Sequence, residues 1–181
     1  MAIKNRNLAM RRFVILMCML VALCGCTGVA ENIMPVENFE LERYLGKWYE
    51  IARLDHSFER GLEKISAEYS LRDDGGVRVL NRGFSSAKNT WKEAEGRAYF
   101  VNGADKGHLK VSFFGPFYGS YVIFELDDKD YQYAFVTSYK KSYLWLLARQ
   151  ASVPAEVRER FLKVARDKGF DVDNLIFVQH E

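Results

Sequence analysis

Between Gly46 and Gln150 the chain is cut into eight short runs of strand character, and this punctuation constrains its fold more than any other feature. The runs fall near residues 46–54, 64–72, 76–84, 94–101, 108–114, 119–127, 131–138 and 143–150. Between them stand turn-forming clusters: Asp73-Asp74-Gly75-Gly76, Asn102 to Gly107, and Asp127-Asp128-Lys129-Asp130. Glycine reaches positive φ without strain, and aspartate and asparagine bond their own backbone, so such clusters close hairpins. Eight strands at short, regular spacing predict a mainly β protein: an antiparallel up-and-down barrel, or else a sandwich. The texture then changes. From Pro154 to Lys168 the apolar residues Val157, Phe161, Leu162, Val164 and Ala165 recur at helical spacing, and Gly169 follows where a helix would stop. Leu175 to Val178 reads as a short final strand.

The N-terminus has a different character. Lys4, Arg6, Arg11 and Arg12 precede an apolar run from Phe13 to Leu23. This is the layout of an export signal, and the run is too short to span a bilayer, which takes about 20 residues. Leu23-Cys24-Gly25-Cys26 resembles the bacterial lipobox, in which the signal is removed and the cysteine becomes the lipid-modified, diacylglyceryl-bearing first residue. Residues 1–25 are therefore expected to be a signal peptide and Cys26 the lipidation site. Residues 26–40 are expected to be a lipidated tether, because they hold Pro35 and show no periodicity. Residues 41–181 are expected to form the barrel domain. Thr27, rather than aspartate, after the cysteine favours the periplasmic face of the outer membrane.

Removal of residues 1–25 changes the charge. The whole chain carries 26 basic and 24 acidic residues, and the segment holds four of the basic ones and no acidic one. The mature chain of 156 residues is left slightly acidic, with no electrostatic footprint for nucleic acid. Cys18 and Cys24 leave with the signal, so no thiol remains for an internal disulfide.

Gly46-Lys47-Trp48-Tyr49-Glu50 opens the first strand run, Thr137-Ser138-Tyr139 follows the seventh, and Arg149 ends the eighth. Together these resemble the three motifs of the lipocalin family: Gly46 and Trp48 the first, Thr137 and Tyr139 the second with Ser138 in place of aspartate, Arg149 the third. Trp48 to Arg53 and Phe113 to Tyr118 look like its bacterial, apolipoprotein D-like branch. The resemblance covers roughly residues 42–181. It implies an eight-stranded barrel with one C-terminal helix, holding a small apolar ligand. Physically, a tryptophan on the first strand can plug one end while an arginine on the last lies over its indole face. Gly46, Trp48, Thr137, Tyr139 and Arg149 are accordingly expected to be structural, barrel-closing residues.

Strand alternation gives inward faces. Counting in twos from Trp48 yields Glu50, Ala52 and Leu54. The second run offers Ile65, Ala67 and Tyr69, the third Val79 and Asn81, the fifth Val111 and Phe113, the eighth Trp145. Ala52, Ile65, Ala67, Tyr69, Val79, Asn81, Val111, Phe113 and Trp145 are thus the candidate cavity lining. Such a lining suits a long-chain amphiphile, and fatty acids or lysophospholipids are the expected partners. Glu50, as a carboxylate inside a barrel, is expected to pair with a basic or tyrosine neighbour. The aromatic stretch Phe114 to Tyr121 reads as a lip at a barrel end or a surface for pairing with a second copy. His56 and His108 are expected at solvated strand ends and His180 at the tail. No G-x-S-x-G, metal-ligand spacing or phosphate loop appears, so no cofactor, metal or catalytic residue is expected. A lipid-binding lipoprotein is the first expectation. A lipid-modifying enzyme and a ligand-free envelope spacer are the alternatives.

Overall fold

A computed structural model describes residues 27–180. The expected signal peptide and Cys26 lie outside the described residues. A short helix, α1 (Leu41–Tyr44), leads into eight strands: β1 (Gly46–Leu54), β2 (Glu63–Leu71), β3 (Val77–Ser85), β4 (Thr90–Phe100), β5 (His108–Phe114), β6 (Phe117–Leu126), β7 (Tyr133–Thr137) and β8 (Leu144–Ala148). Helix α2 (Ala155–Asp167) and strand β9 (Leu175–Phe177) follow. From β1 to β8 each strand is antiparallel to the next in sequence, and β1 pairs with both β8 and β2. The sheet therefore closes into an up-and-down barrel, and β9 adds outside the closure along Ala52 to Leu54. Closure removes the exposed edges that an open sheet of this size would carry.

The turns behave as their residues dictate. Gly75 adopts φ +77°, and the Gly76 N–H is accepted by the Asp74 carboxylate, which also accepts from Arg72 and from the Tyr99 hydroxyl. These bonds hold the Asp74 carboxyl well below the ordinary carboxylate range, Arg72 contributing most. Pro154 caps α2, and Gly169 leaves it at φ +79°. Strand β4 begins at Thr90, four residues before the expected start, because Thr90 to Glu93 pair with Arg82 to Ser85 although their side chains are largely exposed. Hydrogen bonding, not burial, extends it, so the apolar pattern could not show it.

Two apolar cores flank one wall. Inside the barrel, Trp48, Val77, Val79, Ala98, Leu109, Ile123 and Val136 pack together. Outside, Phe161 and Ala165 of α2 press on Ala52, Leu144, Leu146 and Phe135, with the Phe161 and Phe135 rings 5.0 Å apart.

The segment expected to be a tether is instead folded along the outer wall. Ala30 and Ile33 are buried in the outer core, and Phe39, where the segment reaches the end of the barrel, is buried in the inner one. The Val36 N–H donates to Ile123 O and the Gly107 N–H to Val36 O, each at 2.9 Å, and the Phe39 N–H donates to Asp105 O. Its apolar residues serve a one-sided contact at irregular spacing, which leaves no helical or strand period to read.

Candidate functional site: a cavity closed at one end

The end of the barrel where β1 starts is sealed. Trp48 is fully buried, its Nε1–H donating to Tyr44 O at 2.7 Å. Arg149 covers the indole face at 4.0 Å and donates to the carbonyls of Arg43, Lys47 and Tyr131. Gly46 stands at φ +89°, where side chains are strained, beside the Arg149 guanidinium. Tyr44 stacks on Trp48 at 4.6 Å, and its hydroxyl begins a chain: Tyr44 to Tyr121 at 2.7 Å and Tyr121 to Tyr69 at 2.8 Å. Burial raises all three phenols above their usual range, so the chain stays neutral.

Thr137 and Tyr139 are not at this floor. They sit where β7 ends, at the opposite pole. Thr137 Oγ1 donates to Tyr143 O and Ser138 Oγ to Ser120 O, so serine at the middle position still ties the loop down. Tyr139 lines the mouth beside Tyr143. Up-and-down topology sends alternate strand ends to opposite poles, and β7 ends at the pole where β8 starts, whereas Arg149 follows the far end of β8.

Between floor and mouth lies a cavity of about 510 Å³, bounded by Phe39 and Tyr44 below and by Phe58 and Phe114 at the other end. Of the nine candidate lining residues, Ile65, Ala67, Tyr69, Val79, Asn81, Val111, Phe113 and Trp145 border it. Ala52 does not; it is buried in the outer core against α2. The cause is a bulge. Glu50 pairs with Leu147 and Ala52 with Leu146, so Ile51 is an extra residue on β1. One inserted residue flips the alternation, turning Ala52 and Leu54 outward and setting Arg53 opposite Trp145.

That bulge builds a charged cluster on the mouth side of an otherwise apolar lumen. Arg53 Nη1 is 2.8 Å from Glu50 Oε1, both groups buried, and Arg53 Nη2 donates to Glu59 O. Glu50 thus pairs with a basic neighbour, as expected, but the partner comes from its own strand. His56 Nε2 lies 2.9 Å from Glu59 Oε2, which also accepts from Trp145 Nε1–H at 3.2 Å. Burial raises the Glu50 carboxyl well above its ordinary value, with the Glu59 charge adding to it and Arg53 opposing. Burial also acts to raise Glu59, but the contact with His56 outweighs it and Glu59 ends below its ordinary value.

The histidines depart from expectation. His56 is buried beneath Phe58, ring centroids 4.0 Å apart. His108 is buried under the N-terminal segment, its Nε2 3.2 Å from Ser120 Oγ, whose hydroxyl donates to Gly28 O. His180 Nε2 donates to Glu50 O. The single signal for the Glu59 cluster was a histidine three residues before a glutamate in an aromatic-bearing loop, too common a pattern to stand out.

Residues 39–180 match the lipocalin-like domain family. The chain belongs to that family. It is 56% identical over 172 residues to the outer membrane lipoprotein Blc of Vibrio cholerae serotype O1, covering 95% of this chain and 100% of that one. It is 48% identical over 160 residues to the outer membrane lipoprotein Blc of Escherichia coli K12, covering 88% and 90%. Apolipoprotein D of Macaca fascicularis is 30% identical, over 93% of this chain and 96% of that one. Among solved structures, insecticyanin from the tobacco hornworm superposes with a TM-score of 0.68 at 23% identity, over 85% of this chain and 87% of that one, a likeness of fold. The lipocalin is an outer-membrane lipoprotein, the location that its bacterial relatives share.

Proposed function

We propose that this lipocalin binds a single-chain amphiphile, a fatty acid or a lysophospholipid, and stores or carries it at the outer membrane, to which acylated Cys26 anchors it. The observation that carries the reading is the sealed lumen. Its volume falls within the range of small-molecule sites, about 300–1,000 Å³, and its wall is apolar over most of its depth. An acyl chain would lie along Ile65, Val79, Val111 and Phe113. The polar end would face Arg53, Glu50, Glu59 and His56. Arg53 Nε and His56 Nδ1 are buried without a protein partner among the described residues, so that side of the lumen holds unused hydrogen-bonding capacity. One acyl chain on a protein gives marginal anchoring, whereas several on Cys26 give a stable hold. The role is binding without catalysis.

Native mass spectrometry of the protein extracted from its own membranes tests this. A mature chain beginning at an acylated Cys26 and carrying one single-chain lipid is expected. A barrel that emerges empty and takes up no added palmitate or lysophospholipid overturns the binding reading. An unmodified N-terminus overturns the anchoring.

A further inference from the structure

The two poles of the barrel differ in chemistry. Turns at 72–76, 101–107 and 127–132 join strands at the Trp48 pole, and together they hold six carboxylates against three basic residues. Turns at 55–62, 86–89, 115–116 and 138–143 join strands at the mouth, and they hold four basic residues against two carboxylates. Those two are neutralised at close range: Asp55 pairs with Arg60, and Glu59 is buried beside His56. Lys88, Lys140 and Lys141 are left as the remaining charges of these turns.

The mouth also carries large apolar groups in water. Phe114 is 82% exposed, Phe117 70%, Phe58 59% and Trp91 46%. All four belong to mouth turns or to the strand ends beside them. Phe114 and Phe117 flank the tight Gly115-Pro116 turn and project from it together. Exposed aromatics beside lysines are the composition of a water–lipid interface, where an aromatic ring sits at headgroup depth and a basic side chain meets anionic lipid.

The path of the N-terminal segment decides what covers this rim. Followed backwards from Phe39 beside Asp105 of a floor turn, the chain passes Ile123 and reaches Ser120 at Gly28. It therefore climbs from the floor toward the mouth. Ser120 is three residues from Phe117, about 10 Å along a strand. Because residues 28–39 are bonded to the wall, Thr27 alone separates Cys26 from the barrel. At about 3.5 Å per extended residue, that leaves a slack of one or two residues, where an extended thirteen-residue tether would reach about 45 Å.

We infer that the aromatic, basic rim is a membrane-docking face: the barrel rests mouth-down on the phospholipid surface, with Phe114, Phe117, Phe58 and Trp91 at headgroup depth. Ligand then passes between bilayer and lumen without crossing water. The inference rests on the proposed acylation of Cys26 for its geometry, but the rim chemistry is independent of it.

The test uses the full lipoprotein, purified from membranes and mixed with vesicles of phosphatidylethanolamine and a minority of phosphatidylglycerol, the acyl chains brominated near the headgroup. Bromine quenches tryptophan on contact. Trp91→Phe identifies the rim's share, because Trp48 is buried at the floor and Trp145 lies inside the lumen, where a bound lipid could itself quench. Bromolipid is expected to remove most of the Trp91 emission at equilibrium, and Phe117→Ser, at an exposed ring outside the cavity lining, to cut that quenching several-fold without changing circular dichroism or palmitate uptake. Absence of Trp91 quenching overturns the docking, whether or not the chain stays on the vesicles. Retention after washing reports the anchor separately. If Phe117→Ser dissolves a dimer seen by sedimentation while bromolipid leaves Trp91 untouched, the rim is a surface for a second copy and the inference fails.

Discussion

Arg149 lies 4.0 Å above the ring of Trp48 and joins three separate carbonyls, those of Arg43, Lys47 and Tyr131. The last strand is thereby bound to the first and to the short helix before it, across a floor that no turn spans. Its guanidinium forks to several acceptors, which an ammonium cannot do. Arg149→Met should cost about 2–4 kcal/mol, the sum of a partly desolvated cation–π contact and charged hydrogen bonds. Arg149→Lys should recover less than half of that loss. Urea denaturation of the three proteins checks both statements. Equal stability of the lysine variant and the parent would show that charge alone, rather than the fork, holds the floor.

Glu50 and Glu59 put opposite slopes into the pH dependence of folding. Burial raises the Glu50 carboxyl well above its ordinary value, so the folded chain holds a proton that the unfolded chain releases from about pH 4.5 upward. Stability tied to Glu50 is therefore intact below that pH and falls as pH rises toward the folded-state pKa. Glu59, held below its ordinary value, contributes in the other sense: its stability is present above about pH 4.5 and is lost on acidification. Glu50→Gln should flatten the decline between pH 5 and the neutral range and leave the acid limb in place. Urea midpoints across pH 4 to 8 read both limbs.

The N-terminal segment should behave as part of the wall. Ile33 is buried in the same core as Phe161 and Ala165. Ile33→Ala should therefore cost about 2 kcal/mol or more, the lower end for a buried aliphatic truncation. A free tether would lose nothing. Met34, next to it and largely exposed, serves as the control: Met34→Ala should change stability by less than about 0.5 kcal/mol.

Much of this architecture could be read before any coordinates. All eight barrel strands, the helix and the final strand exist where alternation and turn residues put them, the early start of β4 at Thr90 apart, because each of those signals is local. Ile65, Ala67 and Tyr69 were legible for the same reason: β2 alternates cleanly through that stretch. What escaped is what depends on a partner strand or a distant surface. The bulge at Ile51 exists only in relation to β8, so counting in twos from Trp48 puts Ala52 and Leu54 in the lumen. The burial of Ile33 and His108 depends on a wall assembled from β5 and β6. The pole at which Tyr139 stands follows from the topology, which no three-residue motif carries.

Ala52 and Ala67 turn that lesson into a measurement. Both are small residues on neighbouring strands, and strict alternation would place both in the lumen. Ala67 borders the cavity, while Ala52 is fully buried against the helix layer. Ala67→Phe puts a ring into existing space, so stability should change by less than about 1 kcal/mol, while palmitate affinity falls at least about tenfold, or 1.4 kcal/mol, through lost volume. Ala52→Phe forces a ring into a close-packed layer and should cost about 1–3 kcal/mol, with the affinity of the folded fraction kept. Fluorescent fatty-acid displacement and urea denaturation on both variants separate the two outcomes. Loss of affinity in Ala52→Phe with unchanged stability would put Ala52 back in the lumen and remove the bulge from the account.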